Sequence, residues 1–414
     1  MDYAKKLKIV LIVFFFFFLI IYLLNSNFLS EIIWKNPYLF GDYKIILSWL
    51  ECNYLGFDVY KIDSIKNCPS YYRVLLYGHI WLSVPFNTLL KIFYLNYLPY
   101  LTIALFLLST VIIINPKSFT EYLLLSLCIF NPSTFLALER LGFDLFVFLF
   151  TIFVCFNRIY ILNWLIIFFL TFVKIYPALL GINIFLENIK RGFKKNLIII
   201  ISIAIVSFIY LYFNFDKYKL SLFESGIDAG EAGYHYLFSI KALPKILKYV
   251  FNLNYILLLV IFYFSFIFIV YKFYKKINEN FIQVTKNTFS TNGKLFILSG
   301  YVSLICFITY SNYVYREIFI ILMLPYIIDL YRKNITGLAN LLILLILIRY
   351  FFLLPYGFFN VHDGITYVDG VRSFSNIFLS IITIKGFFDF VLMALLCSFL
   401  FLNTKSIINN INNR

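Results

Sequence analysis

The sequence predicts an all-α polytopic membrane protein, a single integral membrane domain of about twelve transmembrane helices that spans residues 1–414. Of the 414 residues, 62% are hydrophobic and only 13% are charged, and the mean hydropathy is +0.89. The apolar runs last roughly 15 to 20 residues, which is the length a helix needs to cross the hydrocarbon core of a bilayer. The composition therefore excludes soluble classes, and the run length excludes a membrane barrel of short alternating strands.

Long apolar segments mark the predicted spans. They lie at residues 7–24, 98–114, 120–137, 143–157, 160–187, 196–213, 253–271, 295–310, 317–331, 337–354 and 387–402. The first segment follows a basic N-terminus and lacks a small-residue cleavage site, so we expect it to be a retained helix.

Two segments leave the path through the membrane open to two interpretations. Residues 74–95 either cross the membrane or lie along its surface as a juxtamembrane helix. Residues 160–187 form either one span or two short spans broken at Pro177, because proline interrupts the helical hydrogen bonds. Both combinations give the same end points. We prefer the surface helix with the broken pair, because it places Lys174 and the charged residues near position 140 on one outer face.

The net charge of +15 is concentrated in a few short clusters. These are Lys5, Lys6 and Lys8, residues 190–195, residues 272–294, Arg332 with Lys333, and Lys405. Because short basic loops stay on the cytoplasmic side, the clusters predict cytoplasmic termini and a cytoplasmic loop 272–294, and they do not indicate a nucleic-acid partner. The loops 25–97, 214–252 and 355–386 then lie outside, and the first is expected to contain juxtamembrane helices.

The six cysteines fall into two groups. Four of them lie inside apolar spans, where we expect them to be packing residues: Cys128, Cys155, Cys306 and Cys397. Cys52 and Cys68 both lie in the first external loop, where oxidising conditions permit a disulfide, and two free thiols are the alternative. No cysteine or histidine spacing typical of a metal site occurs in the sequence.

The first external loop carries several carboxylates, and Asp42 is the first of them that lies clear of the opening helix. Aromatic residues flank it, as at a membrane interface: Trp34, Tyr38, Tyr43 and Trp49. A carboxylate held at the boundary between water and lipid can act as a general base towards an acceptor hydroxyl, and it needs no cofactor to do so. The alternative is a solvated acid or a helix cap.

Other charged residues stand beside or within predicted spans. Glu139, Arg140 and Asp144 lie at the junction of two spans, which is unfavourable unless the charges pair or face water. Lys174 precedes Pro177, where a broken helix exposes backbone groups, and a phosphate head group would pair with its ammonium. The alternatives are a structural ion pair with Asp144 as a helix N-cap, and a lysine that extends to the membrane surface.

Arg316 and Asn312 lie in a very short outer turn between two spans. A guanidinium binds phosphate with two parallel hydrogen bonds, so Arg316 suits a second contact to the same phosphate, and pairing with Glu317 is the alternative. His235 and His362 are single imidazoles in external loops. Their external position is what makes them candidates, and an ordinary surface role is the alternative.

The order of these features resembles the glycosyltransferase C superfamily, most closely the polyprenol-phosphate-sugar-dependent transferases of glycosyltransferase family 87. The matching landmarks are Asp42; Glu51, Cys52, Gly56, Asp58, Val59 and Tyr60; Asn67-Cys68-Pro69 with the segment 72–81; Leu138 to Asp144; Lys174-Ile-Tyr176-Pro177; and Ser311 to Arg316. They run from about residue 40 to residue 325. Leu141-Gly142 replaces the usual Gly-Asn pair, the segment 72–81 lacks the expected spacing, and the last 80 residues match nothing in the family.

The resemblance implies inverting transfer of one sugar from a polyprenyl-phosphate carrier to a glycan or glycolipid acceptor outside a bacterial cytoplasmic membrane. Asp42 would be the base, and the carrier phosphate would lie near Lys174 and Arg316. The candidate substrate-binding residues are Asp58, Glu139, Arg140, Asp144, Lys174, Tyr176, Asn312, Arg316, His235 and His362.

The resemblance also bears on cofactors, and we expect neither a cofactor nor a metal. Enzymes of this kind that use monophosphate donors generally work without the divalent metal of diphosphate-donor relatives. The element from Glu139 to Asp144 nevertheless resembles the position of a metal-binding acidic motif in those relatives, so metal use stays open.

Two other functions fit a polytopic protein with outer-face charges. An O-antigen-type polymerase usually carries large arginine-rich loops late in the chain, whereas the later loops here are short and weakly basic. A lipid or glycan transporter would need ionisable residues along a path through the midplane, often with matched broken helices in two halves. The sequence shows one such break, at Lys174, and no internal repeat.

Overall fold

In the residues that it describes, the computed structural model contains helices and one short hairpin, which confirms the predicted helical fold class. It describes residues 40–70, 75, 79–174, 176–182, 201, 205–206, 208–210, 212–216, 238–279, 288, 290–308, 314–333, 337–362, 365–368, 371–374 and 376–412. The predicted spans 7–24 and most of 196–213 lie outside these residues.

The N-terminal half of the described chain forms eight α-helices joined by short connections. They are α1 Gly41–Tyr54, α2 Ile62–Ile65, α3 Thr88–Asn96, α4 Leu98–Ile114, α5 Phe119–Ile129, α6 Pro132–Arg140, α7 Phe143–Phe156 and α8 Tyr160–Val173. Two 3-10 helices accompany them, at His79–Ser83 and Tyr176–Leu180.

The C-terminal half contains the longest helices. They are α9 Ala242–Phe251, α10 Tyr255–Asn278, α11 Thr291–Ile308, α12 Ile318–Ile321, α13 Leu324–Arg332, α14 Gly337–His362 and α15 Asn376–Asn412, with a 3-10 helix at Val314–Glu317. Strands β1 Ile365–Val368 and β2 Val371–Phe374 form an antiparallel hairpin with Ile365 opposite Phe374. The predicted outer loop 355–386 is thus mostly helical, and the hairpin lies between its two helices.

Within the residues that the structure describes, four helices are long and apolar enough to cross a membrane, and a fifth span arises if α5 and α6 are taken together. The four are Leu89–Ile114, Tyr255–Asn278, Thr291–Ile308 and Leu379–Asn409. The first of these joins α3 to α4 across Tyr97. This supports a helical membrane protein, whereas the count of twelve crossings stays a prediction.

Three predicted spans are interrupted, each beside a proline. The span 120–137 bends by 46° between α5 and α6, where Asn131 accepts a hydrogen bond from the Thr134 amide and Pro132 has no amide hydrogen to donate. The span 317–331 is divided into α12 and α13 ahead of Pro325. The break predicted near Lys174 is present, because α8 ends at Val173 and Lys174 is extended (φ −141°).

The long helix α15 forms the centre of the C-terminal half, where it packs against α10, α11 and α14. One large cluster of buried side chains runs from α1 through to α15, so the described spans share a single core. The exposed large side chains of α10 include Ile256, Phe264 and Ile267, as expected for a helix that faces lipid.

A second small core lies under α1 and α2. It contains Ile46, Trp49, Val59, Tyr60 and Ile65, together with a disulfide between Cys52 and Cys68 whose Cα atoms are 5.8 Å apart. The structure therefore resolves the choice left open by the sequence in favour of the disulfide. The four cysteines of the apolar spans are free and buried, as predicted.

An ion pair joins this small core to α3. Lys91 Nζ lies 2.5 Å from Glu51 Oε1, and the Ser70 hydroxyl donates to Glu51 Oε2 over 2.5 Å. Burial alone would raise the pKa of Glu51, but the hydrogen bonds from Lys91 and Ser70 outweigh it and hold that pKa below its ordinary value. The carboxylate therefore stays ionised at neutral pH and keeps the loop attached to α3.

Removing the disulfide is expected to destabilise this loop. The Cys52→Ser/Cys68→Ser variant opens a closed loop of about 15 residues, for which the expected loss is roughly 3 kcal/mol. Thermal unfolding in detergent measures the effect. A Cys155→Ala variant is the matched control, because it removes a buried thiol without removing a crosslink, and equal unfolding temperatures for the two variants would contradict the expectation.

Polar side chains pair with one another at one end of the bundle. Glu121 accepts from the Lys117 amide over 2.6 Å and pairs with Arg332 at 2.6 Å, while Asn292 donates to Asp329 over 2.7 Å. Arg332 belongs to one of the basic clusters that the sequence predicts to be cytoplasmic. From this end, α5 with α6 and α11 lead to the opposite end of the bundle, where the remaining charged candidates lie.

Candidate functional site

The first part of the site is the junction between α1 and α6. Phe40, which precedes α1, adopts a left-handed conformation (φ 59°), and its amide donates to the Glu139 carbonyl over 2.7 Å. This bond fixes the first turn of α1 beside the last turn of α6. Asp42 Oδ1 then lies 3.5 Å from Arg140 Nη1, with 14% of the Asp42 side chain exposed.

The second part is the tight connection from α6 to α7. Leu141 is fully buried in a left-handed conformation (φ 47°), which ends α6 and turns the chain. Gly142 follows, and α7 begins at Phe143 with Asp144 in its first turn. A carboxylate in that position interacts favourably with the helix dipole, so the backbone itself favours an acid there.

Asp144 is the centre of the site. Its Oδ2 accepts a hydrogen bond from Lys174 Nζ over 2.9 Å, its Oδ1 accepts from the Tyr176 hydroxyl over 2.5 Å, and Arg316 Nε lies 3.4 Å from the same Oδ1. Only 2% of the Asp144 side chain is exposed. Burying a carboxylate is costly unless it is paired, and here two cations and a hydroxyl surround it.

The break after α8 positions two partners of Asp144, Lys174 and Tyr176. Because α8 ends at Val173 and the chain continues as a 3-10 helix from Tyr176, Lys174 and Tyr176 both reach the start of α7. Lys174 Nζ also lies 5.8 Å from the centre of the Tyr176 ring, and so does the guanidinium carbon of Arg316. Both cations therefore lie close to the same aromatic ring.

Gly142 brings the two parts together. A Cβ built on Gly142 would lie 3.6 Å from Asp42 Oδ2 and 3.6 Å from Asp144 Oδ2. Because Asp42 Oδ2 and Asp144 Oδ2 are each 3.6 Å from this Cβ position, the two oxygens are separated by no more than twice 3.6 Å. Asp42 and the ammonium that pairs with Asp144 therefore belong to one cluster, as the sequence interpretation required.

We define the charged cluster as Asp42, Arg140, Asp144, Lys174 and Arg316. It contains three cations and two carboxylates. Arg140 and Arg316 are each about one-fifth exposed, whereas Lys174 is 10% exposed. The cluster therefore contains partly accessible cations, which an anion would need.

The other candidates lie elsewhere or outside the description. Glu139 is buried next to Arg140. Asp58 is exposed beside the second small core, where it accepts from the Tyr60 amide over 3.0 Å and pairs with Lys61 at 3.6 Å. Asn312, His235 and the side chain of His362 lie outside the described residues.

A second set of charges, which the sequence interpretation missed, lies deeper in the bundle. We call Glu317, Arg349, Lys385 and Asp389 the buried quartet. Arg349 pairs with both Glu317 and Asp389, and Lys385 Nζ lies 3.1 Å from Glu317 Oε1 and 2.6 Å from Asp389 Oδ2. Each of the four side chains is at most 3% exposed.

A sequence signal for the quartet existed. Arg349 stands inside an apolar span, and Lys385 with Asp389 has the i,i+4 spacing of a helical ion pair. Ionisable residues inside spans are expected to pair or to face water. The structure also decides the alternative for Arg316, which pairs with Asp144, while the neighbouring Glu317 pairs with Arg349 and Lys385.

Among the residues that the structure describes, no three His, Cys, Asp or Glu side chains form a group that could hold a metal ion. A comparison with protein-family models, with curated proteins and with solved structures finds no match for the chain.

Proposed function

We propose that the protein is a membrane glycosyltransferase of the glycosyltransferase C type. It would move one sugar from a polyprenyl-phosphate carrier to a cell-envelope glycan or glycolipid on the outer face of a bacterial cytoplasmic membrane. The observation that carries the proposal is that Asp42 and Lys174 belong to the same charged cluster. A base and a phosphate-binding cation must share one site for this reaction.

The charge of the cluster supports a phosphate ligand. A sugar linked through its anomeric carbon to a polyprenyl phosphate is a phosphodiester, which carries one negative charge. Lys174 and Arg316 would supply the positive charge that balances it. Lys174 and Arg316 both pair with Asp144 and both lie 5.8 Å from the centre of the Tyr176 ring, so we place the phosphate beside these two cations.

The proposed reaction is a single displacement. An acceptor hydroxyl gives its proton to Asp42 as its oxygen forms a bond to the anomeric carbon of the sugar. The bond from that carbon to the phosphate oxygen breaks, and the electron pair leaves with the polyprenyl phosphate. Lys174 and Arg316 would stabilise the charge that develops on the leaving oxygen.

The proposed topology places this site outside. Twelve crossings with both termini in the cytoplasm put the Lys117 and Arg332 end inside and the charged cluster outside. The α7 helix of 14 residues, which leads away from Asp144, covers about 21 Å of the path between the two ends.

A transfer assay tests the proposal. Purified protein in liposomes would receive a panel of radiolabelled polyprenyl-phosphate sugars together with an extracted envelope glycolipid fraction. We expect the label to move to the acceptor and free polyprenyl phosphate to accumulate in equal amount. Absence of covalent transfer with every donor in the panel, from protein that binds the donors, would contradict an enzymatic function.

Replacing Lys174 with Met is expected to weaken binding of undecaprenyl phosphate. A charge-assisted hydrogen bond contributes about 1.5–3 kcal/mol, so the dissociation constant should rise roughly 10- to 100-fold. Asp144 would still be paired with Arg316 in the variant, so the fold should persist. Native mass spectrometry of the detergent-solubilised protein measures the affinity.

Lys91→Met is the matched control for this measurement. It removes the same type of charge from α3, where Lys91 pairs with Glu51 and takes no part in the charged cluster. Its affinity for undecaprenyl phosphate should equal that of the unmodified protein. Equal weakening in both lysine variants would mean that general surface charge, and not a phosphate site at Lys174, attracts the lipid.

The buried quartet favours a second candidate, a lipid or glycan transporter. Ionisable residues deep in a bundle are typical of ion pathways in transporters. In that case the same liposomes would show movement of the labelled lipid between leaflets without any transfer of sugar to an acceptor. The transferase remains our proposal, because the four charged side chains of the quartet pair with one another.

A further inference from the structure

The 3-10 helix Val314–Glu317 connects the charged cluster to the buried quartet. Arg316 and Glu317 are consecutive, and successive residues of a 3-10 helix point about 120° apart. Arg316 is 20% exposed and reaches Asp144, whereas Glu317 is 1% exposed and points into the bundle. One short turn therefore carries a residue of each set.

Three separate helices hold the Glu317 side chain. The Ser133 hydroxyl of α6 donates to Glu317 Oε2 over 2.9 Å, Arg349 of α14 pairs with the same oxygen, and Lys385 of α15 lies 3.1 Å from Oε1. Because both carboxylate oxygens are bound, the side chain has one available orientation. The backbone of the turn is fixed with it.

Stability alone does not explain such an arrangement. Two carboxylates and two cations are removed from water, and the cost of their desolvation offsets much of their mutual attraction. A set of apolar side chains would fill the same space at lower cost. What the ion pairs supply is a defined position for the groups that they connect.

We propose that Glu317 is a positioning residue, which the quartet holds so that Arg316 meets the phosphate of the donor. This inference rests on the proposed function. Glu317 and Arg316 are joined by one peptide unit, with their Cα atoms about 3.8 Å apart. A shift of the Glu317 backbone therefore moves the Arg316 backbone with it. Arg316 Nε lies 3.4 Å from Asp144 Oδ1, and a shift of the Arg316 backbone away from Asp144 would break this ion pair.

Two double variants test the inference. Glu317→Gln/Lys385→Met and Asp389→Asn/Lys385→Met each remove one cation and one carboxylate, so the quartet stays neutral in both. Only the first removes the charge on Glu317, since the second leaves Glu317 paired with Arg349. We expect the first variant to bind undecaprenyl phosphate roughly fivefold or more weakly than the second, the size of a coupling between contacting groups.

A third measurement separates positioning from a general structural effect. In an Arg316→Met background, Glu317→Gln/Lys385→Met should cause no further loss of affinity, because the residue that Glu317 positions is then absent. Additive losses would overturn the inference. So would equal affinity of the two double variants, which would make the quartet a structural element only.

The outcomes distinguish this inference from the proposed function. If the unmodified protein does not bind undecaprenyl phosphate, both the proposed function and the inference are refuted. If the unmodified protein binds it and Lys174→Met weakens binding, but the two double variants are equal, only the role of Glu317 is refuted. Weaker binding in the first double variant alone supports both.

Discussion

Replacing Asp42 with Asn is expected to lower the rate of sugar transfer by roughly 10²-fold or more, the usual contribution of a general base. An amide cannot take a proton from the acceptor hydroxyl at neutral pH. Asn can still accept a hydrogen bond from Arg140, so the junction between α1 and α6 should keep its geometry. The rate of label transfer in liposomes measures the effect.

Asp63→Asn is the matched control for this prediction. Asp63 is an exposed carboxylate of the segment that follows α1, in the first turn of α2, and its only described role is local. Its variant should transfer sugar at the unmodified rate. Because Asp42 is placed at the base position and not at the phosphate, affinity for undecaprenyl phosphate should also persist in Asp42→Asn. Near-normal turnover by Asp42→Asn would refute the catalytic assignment.

The charged cluster could be predicted in part because its members stand out locally. Lys174 beside Pro177 is a charge next to a proline in an apolar segment, and Asp144 opens an apolar run. Both are visible in a single sequence. The partner of Arg316 was not visible, since the sequence offers the adjacent Glu317, whereas the structure pairs Arg316 with Asp144.

The helix breaks show a similar limit. The sequence interpretation identified the break near Lys174 but treated residues 120–137 as one span. Within that span, Asn131 caps α6 and Pro132 has no amide hydrogen to donate. Hydropathy averages over such residues, so a bend inside an apolar run is hidden by its neighbours. The cap becomes evident only when the Asn131 side chain is seen to accept from Thr134.

The buried quartet was missed for a different physical reason. Its members come from three segments that meet only in the folded bundle. Pairing between residues far apart in sequence depends on how helices pack, which local patterns do not encode. The local signs were Arg349 inside an apolar span and the i,i+4 spacing of Lys385 and Asp389.

Replacing Arg349 with Met is expected to cause the largest loss of stability, roughly 3–5 kcal/mol, as for other buried ion pairs that lose one partner. Arg349 is fully buried and pairs with both carboxylates of the quartet. Without it, Lys385 alone faces Glu317 and Asp389, which leaves one negative charge unbalanced away from water. Thermal unfolding in detergent can be followed with a thiol-reactive dye, because the four free cysteines are buried in the folded protein.

The double variant Arg349→Met/Asp389→Asn separates charge balance from packing. It removes one cation and one carboxylate, so Lys385 and Glu317 remain as a neutral pair at 3.1 Å. If unbalanced charge causes the loss, the double variant unfolds at a higher temperature than Arg349→Met alone, although it carries one more substitution. A double variant that is less stable than the single one would instead mean that Asp389 and Arg349 act through shape, and the quartet would not be an electrostatic unit.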